Sequence, residues 1–196
     1  MANSCGIIIL AAGSSGRLGR PKQLLPYKNK TLLQYLIDEA KNSIARDIIV
    51  VLGANTEAIN ATLKTDTIHI AINKDWKEGM ASSVRCGMNQ LQKINPSADA
   101  AILMVSDQPF VTTALVNELI NTYSKTSKLI VTSSYDNTTG PPALFHKTLF
   151  PELLELKGDF GARSIVQKYA DNVATILFPQ GSIDIDTIED YNKVQR

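Results

Sequence analysis

Three aliphatic runs, Gly6 to Leu10, Asp47-Ile-Ile-Val-Val-Leu52 and Ala100-Ala-Ile-Leu-Met-Val105, show none of the polar alternation of a half-exposed strand. Side chains on both faces of such a strand must be covered. Each run therefore reads as a strand in the middle of a sheet with helices on either side. The segments between them carry helical periodicity. Thr31-Leu-Leu-Gln34 has capping-box spacing and opens an amphipathic helix through about Asn42, and a further helix is predicted from Thr56 to Lys64. Val84, Met88 and Leu91 share one face of a helix over 82–92, with Ser82 or Ser83 as the expected N-cap. Thr113 is the expected cap of a helix whose Leu115, Val116, Leu119, Ile120 and Tyr123 lie together. Shorter strands are predicted over 68–72, 129–133, 142–145 and 173–178, with a turn at 136–140. Helical segments are predicted over 146–156 and 162–169, and Thr187-Ile-Glu-Asp190 caps a last short helix.

Strands that alternate with helices in this way give an α/β fold with a mainly parallel sheet. The chain has 196 residues with no linker, repeat or low-complexity tract, so a single domain over 1–196 is the simplest organisation. In open sheets of this kind ligands bind beyond the carboxyl ends of the strands. The loop after the first strand, Asn73 to Ser83, and Ser106 to Pro109 all occupy that position and are expected to converge on one crevice.

Composition narrows the partners. The 20 basic and 19 acidic side chains nearly cancel, which leaves no electrostatic footprint for nucleic acid or an anionic membrane. Cys5 and Cys86 lie far apart, and with His69 and His146 they offer no zinc spacing, so they are expected to be reduced and mostly buried. The apolar run Ile7 to Ala12 is too short to span a bilayer and lacks a basic leader, and a cytoplasmic protein is expected.

The loop after the first strand carries the chemistry. Gly13, Gly16 and Gly19 stand three residues apart, with Arg17, Arg20 and Lys22 interleaved. Glycines let backbone N–H groups approach phosphate oxygens, and the cations offset triphosphate charge. The loop matches neither Gly-x-Gly-x-x-Gly nor the ATPase-type phosphate loop. A glycine turn with solvated charges is the plainer alternative for this loop taken alone. Asp107 ends an apolar strand and emerges into the expected crevice as a hard oxygen ligand for Mg²⁺, although aspartate is also common before turns.

The segment Leu10-Ala-Ala-Gly-Ser-Ser-Gly-Arg-Leu-Gly-Arg-Pro-Lys-Gln-Leu-Leu-Pro26 resembles the signature of the nucleotidyltransferases that build molybdenum cofactors. The resemblance extends through Asn73-x-x-Trp76-x-x-Gly79-Met80-x-x-Ser83, Asp107-Gln108-Pro109, Gly140-Pro-Pro-Ala-Leu-Phe145, Gly158-Asp-Phe-Gly-Ala-Arg163 and Asp184-Ile-Asp-Thr-x-Glu-Asp-Tyr191. It is closest to the molybdenum cofactor cytidylyltransferases, with guanylyltransferases and methylerythritol-phosphate cytidylyltransferases as more distant relatives. It implies a Rossmann-like three-layer sandwich with a mixed, mainly parallel sheet, of the nucleotide-diphospho-sugar transferase type.

The implied activity is Mg²⁺-dependent transfer of CMP from CTP to molybdopterin or its molybdenum-loaded form, serving a molybdoenzyme or its maturation factor. By the resemblance, Arg17 and Lys22 grip the triphosphate, and Asp107 and Asp186 hold the metal. Leu10, Ala11, Ala12 and Gly13 line the base pocket by their backbone, and Gly79, Met80 and Ser83 contact base and ribose. Asp159 and Arg163 fall on an acceptor-side loop. Local pattern leaves plainer roles open: Asp184 and Asp186 also suit the dipole of the helix that Thr187 caps, Arg163 also suits a solvated helix start, and Trp76 reads as a large core or rim side chain. Leu18, Ser106 and Pro141 depart from residues common in the family (Met, Gly and His), and the last two lie on the expected active-site side. A guanylyltransferase, a sugar- or alcohol-phosphate nucleotidyltransferase, and a non-catalytic nucleotide binder are the competing readings.

Overall fold

The computed structural model describes residues 4–64 and 66–195. The first half of the chain runs β1 (Cys5–Ala11), a small ribbon of β2 (Pro26–Tyr27) and β3 (Lys30–Thr31), α1 (Leu32–Lys41), β4 (Asp47–Leu52), α2 (Thr56–Asn60), β5 (His69–Ile72) and α3 (Met80–Ile94). The second half runs β6 (Ala100–Val105), α4 (Thr113–Thr126), β7 (Ile130–Tyr135), β8 (Thr138–His146), α5 (Phe150–Leu154), α6 (Arg163–Lys168), β9 (Val173–Leu177) and α7 (Ile188–Val194).

Seven strands form one sheet in the order β5-β4-β1-β6-β8-β7-β9. Only β8 runs against its neighbours, so the sheet is mixed and mainly parallel. The three aliphatic runs are β1, β4 and β6, side by side, and β1 is buried along its whole length. Alternate residues of β1 face opposite ways. Ile7, Ile9 and Ala11 pack with Leu33, Leu36 and Ile37 of α1 and Val116 and Leu119 of α4. Ile8 and Leu10 pack with Val84, Met88 and Leu91 of α3 and with Leu153 and Ile165 beyond it. Helices cover both faces, which makes the three-layer sandwich. Among the described residues no helix is long and apolar enough to cross a membrane.

Several element boundaries differ from the sequence reading, each for a local reason. Thr112, in extended backbone, is the cap of α4 and accepts from Leu115 N–H, while the hydroxyl of Thr113 is drawn to Glu39. α3 begins at Met80 with Gly79 as cap, so neither Ser82 nor Ser83 caps it. Thr31 does cap α1, but the Gln34 side chain turns to Asp38 and to Lys64 N–H instead of closing a capping box. Thr187 and Asp190 form a complete box at α7. The turn between β7 and β8 needs only Asp136 and Asn137, both at positive φ, and the polar residues after them belong to β8. β8 continues through His146, so the helix expected over 146–156 is a 3-10 turn over Lys147–Leu149 followed by the short α5.

Candidate active site

The chain leaves β1 for β4 and β5 on one side and then returns to β6 on the other. Such a reversal opens a crevice beyond the carboxyl ends of the two strands where it occurs. A cavity of about 390 Å³ lies there. Its walls come from all three of the separated loops: Leu10, Ala12, Gly13 and Lys22 from the first, Gly79, Met80 and Ser83 from the second, and Ser106 and Asp107 from the third. Trp76 stands half-buried at its rim. Ala11 is buried within β1 and contributes its carbonyl to the loop that follows.

That loop folds back on itself. The Gln23 side chain, 1% exposed, donates to the carbonyls of Ala11 (2.8 Å) and Gly13 (3.2 Å), and Lys22 N–H donates to Ser15 Oγ (2.9 Å). A Cβ added at Gly13 would meet nothing within 4 Å, and one at Gly16 would meet only Ser14 Oγ at 4.0 Å. Packing therefore does not demand glycine at these positions, and the space over the backbone is free for a ligand to approach. Gly79 is different. Its φ of +117 favours glycine, and a Cβ there would lie 2.0 Å from Asp159 Oδ1. The Gly158 carbonyl also accepts from Ala81 N–H (3.0 Å), so the 158–163 segment is laid directly on the Gly79 turn.

The charged residues meet where the crevice opens. Lys22 Nζ donates to Asp107 Oδ2 (3.0 Å) and to Asp186 Oδ1 (2.7 Å), and Arg17 Nη2 donates to Asp186 Oδ2 (2.6 Å). Asp107 N–H is not the anchor of this arrangement; its carbonyl is, accepting from Ile185 N–H (2.9 Å) and so fixing the 184–186 segment beside the end of β6. Burial lowers the pKa of Lys22, but Asp107 and Asp186 outweigh it and the ammonium is held above its usual range. Burial raises Asp186, and the contacts with Lys22 and then the charge of Arg17 more than reverse it, so the carboxylate is held below its usual range. Desolvation and the charges of Asp107 and Asp186 push Asp184 up to about 6. The predicted set of Arg17, Lys22, Asp107 and Asp186 is thus one cluster.

Asp107 and Asp186 converge on a cation, and their oxygens suit a hard divalent ion, so the donor set fits one. Among the described residues no group of three or more His, Cys, Asp or Glu forms a metal cage.

Asp159 and Arg163, expected together, separate. Asp159 lines the crevice with Gly79, whereas Arg163 borders an adjoining cavity of about 300 Å³ walled by Leu103, Pro141, Phe145 and Phe160. Leu10 and Met80 line both.

A model of the MobA-like NTP transferase domain matches residues 7–173. The chain belongs to this family. It is a nucleotidyltransferase of the nucleotide-diphospho-sugar transferase fold. Nicotine blue oxidoreductase of Paenarthrobacter nicotinovorans is 30% identical to this NTP transferase, covering 93% of this chain and 92% of its own. The purine catabolism protein PucB of Bacillus subtilis is 29% identical over 96% of this chain and 95% of its own. Rv0371c of Mycobacterium tuberculosis, in a complex with manganese, superposes with a TM-score of 0.82 at 30% identity, covering 99% of this chain and 98% of its own.

Two residues of the NTP transferase site went unassigned in the sequence. Gln23 straps the loop after β1, and Gln108, 1% exposed, donates to the Gly181 carbonyl (2.7 Å) and so ties the end of β6 to the turn before Asp184. Each keeps a buried Oε1 without a partner among the described residues. The only signal was place: each follows directly on a charged residue of the cluster.

Proposed function

We propose that the protein transfers CMP from CTP to molybdopterin or its molybdenum-loaded form, with release of pyrophosphate, for use by a molybdenum hydroxylase. The observation that carries the reading is the Lys22 ammonium bridging Asp107 and Asp186 at the mouth of a crevice lined by the Gly13 loop. Those cations and carboxylates are the groups that nucleotidyl transfer needs in one place.

In this reading the triphosphate lies over the open backbone at Gly13 and Gly16. Arg17 and Lys22 turn from the carboxylates onto phosphate oxygens and offset the charge that develops at the α-phosphorus and on the departing pyrophosphate. Asp107 and Asp186 would hold Mg²⁺, which when bound neutralises triphosphate oxygens. An acceptor phosphate oxygen forms the new bond to the α-phosphorus in line, as the bond to the α,β-bridging oxygen breaks and its electron pair leaves with pyrophosphate. The attacking oxygen is already ionised at neutral pH, so no general base is needed; orientation and electrostatics supply the rate. The adjoining cavity, apolar with Arg163 at its edge, suits an acceptor with a flat ring and a phosphate tail. The choice of CTP rests on the resemblance of the 158–163 segment to the cytidylyl branch, and PucB, named for purine catabolism, is in keeping with a purine hydroxylase as the enzyme served.

The test is pyrophosphate release with each nucleoside triphosphate and Mg²⁺, with and without molybdopterin. CTP turnover that requires molybdopterin is expected. Turnover of GTP alone moves the protein to the guanylyl branch, turnover with a sugar or alcohol phosphate to that class of acceptor, and tight binding without turnover to a nucleotide binder.

A further inference from the structure

Asn73, on the loop after β5, is 4% exposed, and its amide can be oriented without ambiguity. Oδ1 accepts from Asp75 N–H at 2.9 Å. A backbone N–H can only donate, so this contact fixes which end of the amide is oxygen. Nδ2 then carries both hydrogens and gives them to Ser82 Oγ (2.8 Å) and Ser83 Oγ (3.0 Å). Each serine oxygen is thereby an acceptor and must place its own hydrogen elsewhere. Ser82 gives it to the Gly79 carbonyl at 2.8 Å. Ser83, 5% exposed, has no acceptor for its hydrogen among the described residues, and it lines the crevice beside Leu10 and Gly79. A buried hydroxyl hydrogen is unfavourable when it is left unpaired.

We propose that Asn73 is a positioning residue that makes Ser83 a hydrogen-bond donor toward the bound base, so that the crevice selects a base with an acceptor at that point. Cytosine offers a bare N3, whereas uracil carries a hydrogen there, and the donor therefore favours CTP over UTP. The inference rests on the nucleotide reading given above and adds the polarity of one contact within it.

The experiment measures kcat, KM and the dissociation constant for CTP, UTP and 3-deaza-CTP, which has C–H at ring position 3. Wild type is expected to prefer CTP to the other two by about tenfold or more, as for one hydrogen bond left unmade. Asn73→Asp keeps the shape but accepts only, so Ser83 must donate to it and present a lone pair instead. In that variant KM for CTP is expected to rise about tenfold with a much smaller fall in kcat, and the CTP to UTP ratio to collapse toward one. Ser83→Ala gives the same collapse, and the double variant is no worse than Ser83→Ala alone. A merely structural role would lower kcat for every nucleotide alike and leave the ratio standing, which overturns the proposal. Should Asn73→Asp fail to fold, 3-deaza-CTP decides: wild type that binds it as tightly as CTP, or Ser83→Ala that still discriminates, overturns the proposal equally. GTP-only turnover overturns the cytidylyl reading and the N3 contact with it, whereas CTP turnover with an unmoved ratio overturns this inference alone.

Discussion

Both ends of the central sheet carry clustered carboxylates, and the two clusters are held in different ways. At the amino end, Asp99 accepts from the backbone N–H of Ser4 (3.2 Å) and from Lys147 (3.0 Å), and Asp47 accepts from Asn95 (2.7 Å), whose amide also reaches Ser4 Oγ (2.9 Å). These contacts join the starts of β1, β4 and β6 to the end of β8, and beside the Lys147 ammonium the donors are the Ser4 backbone N–H and the Asn95 amide, which the fold holds in place. At the carboxyl end, Asp107 and Asp186 are met by Lys22 and Arg17 on long flexible stems. A cation on such a stem can leave a carboxylate for a phosphate, and a backbone N–H cannot. The first cluster is thereby tied into the fold, and in the proposed reading the second serves chemistry, although both place aspartates beside strand ends.

The sharpest break in that comparison is Asp107→Asn. It removes one of the two carboxylates proposed to hold the metal beside the triphosphate, and pyrophosphate release is expected to fall on the order of 10³-fold. The melting temperature is expected to hold or rise slightly, because Asp107 also crowds Asp184 with like charge. Normal turnover in this variant would sink the metal and phosphate assignment. Arg17→Ala comes next. Its side chain is 72% exposed, and its pairing with Asp186 contributes little to stability. Loss of its charge at the triphosphate is expected to reduce kcat/KM roughly tenfold to a hundredfold, with an unchanged unfolding midpoint. An unfolding midpoint that drops while kcat/KM stays would place Arg17 with the structural cluster instead.

At the amino end the pattern should reverse. Asp99→Ala leaves Ser4 N–H without its side-chain acceptor and is expected to lower stability by about 1 kcal/mol by denaturant unfolding. Nucleotide turnover should stay at the wild-type level, since the two clusters lie at opposite ends of the strands. A loss of activity at unchanged stability would show that the ends are coupled.

Much of this difference was legible in the residues. Ile7 to Ile9, Ile48 to Leu52 and Ala100 to Met104 are buried because every position is apolar, and no other placement satisfies them. Lys22 and Asp186 are 164 positions apart; the strand-end rule placed the loop of Lys22 at the crevice, and Asp186 was added only by the resemblance of the 184–191 motif. What escaped has a physical reason in each case. Gly79 starts α3 through its backbone alone, so nearby serines drew the cap assignment that their hydroxyls, held by Asn73, do not fulfil. Thr139 and Gly140 resemble turn residues but lie in β8, because Asp136 and Asn137 complete the turn by themselves. Buried amides such as Gln23, Asn73 and Gln108 have no periodicity, and only their partners reveal what they do. Asp159 and Arg163 are four residues apart and line different cavities, which spacing alone does not disclose.

The smallest expected effect separates the two ends by pH. Burial and then the Lys147 ammonium lower the pKa of His146 below its ordinary 6.5, with Asp99 opposing. Its Nδ1 accepts from Thr148 N–H (3.3 Å) and so caps the turn after β8, a contact that protonation removes. The unfolded chain thus takes up the proton more readily than the folded one. The stability from this group is full above about pH 6.5 and is lost as pH falls through that value toward the lower folded one. Asp184, pushed up to about 6, has the opposite slope, because its folded carboxyl holds the proton more firmly and stability falls as pH rises from 3.8 toward that value. The two slopes oppose each other across pH 5 to 7, and a flat wild-type profile is no test of either. The difference between wild type and His146→Asn isolates the imidazole, since asparagine keeps an acceptor for Thr148 without titrating. Unfolding midpoints measured at pH 5 and 7 should fall further on acidification in wild type than in the variant. Equal falls would show that the amino end owes nothing to the charge state of His146.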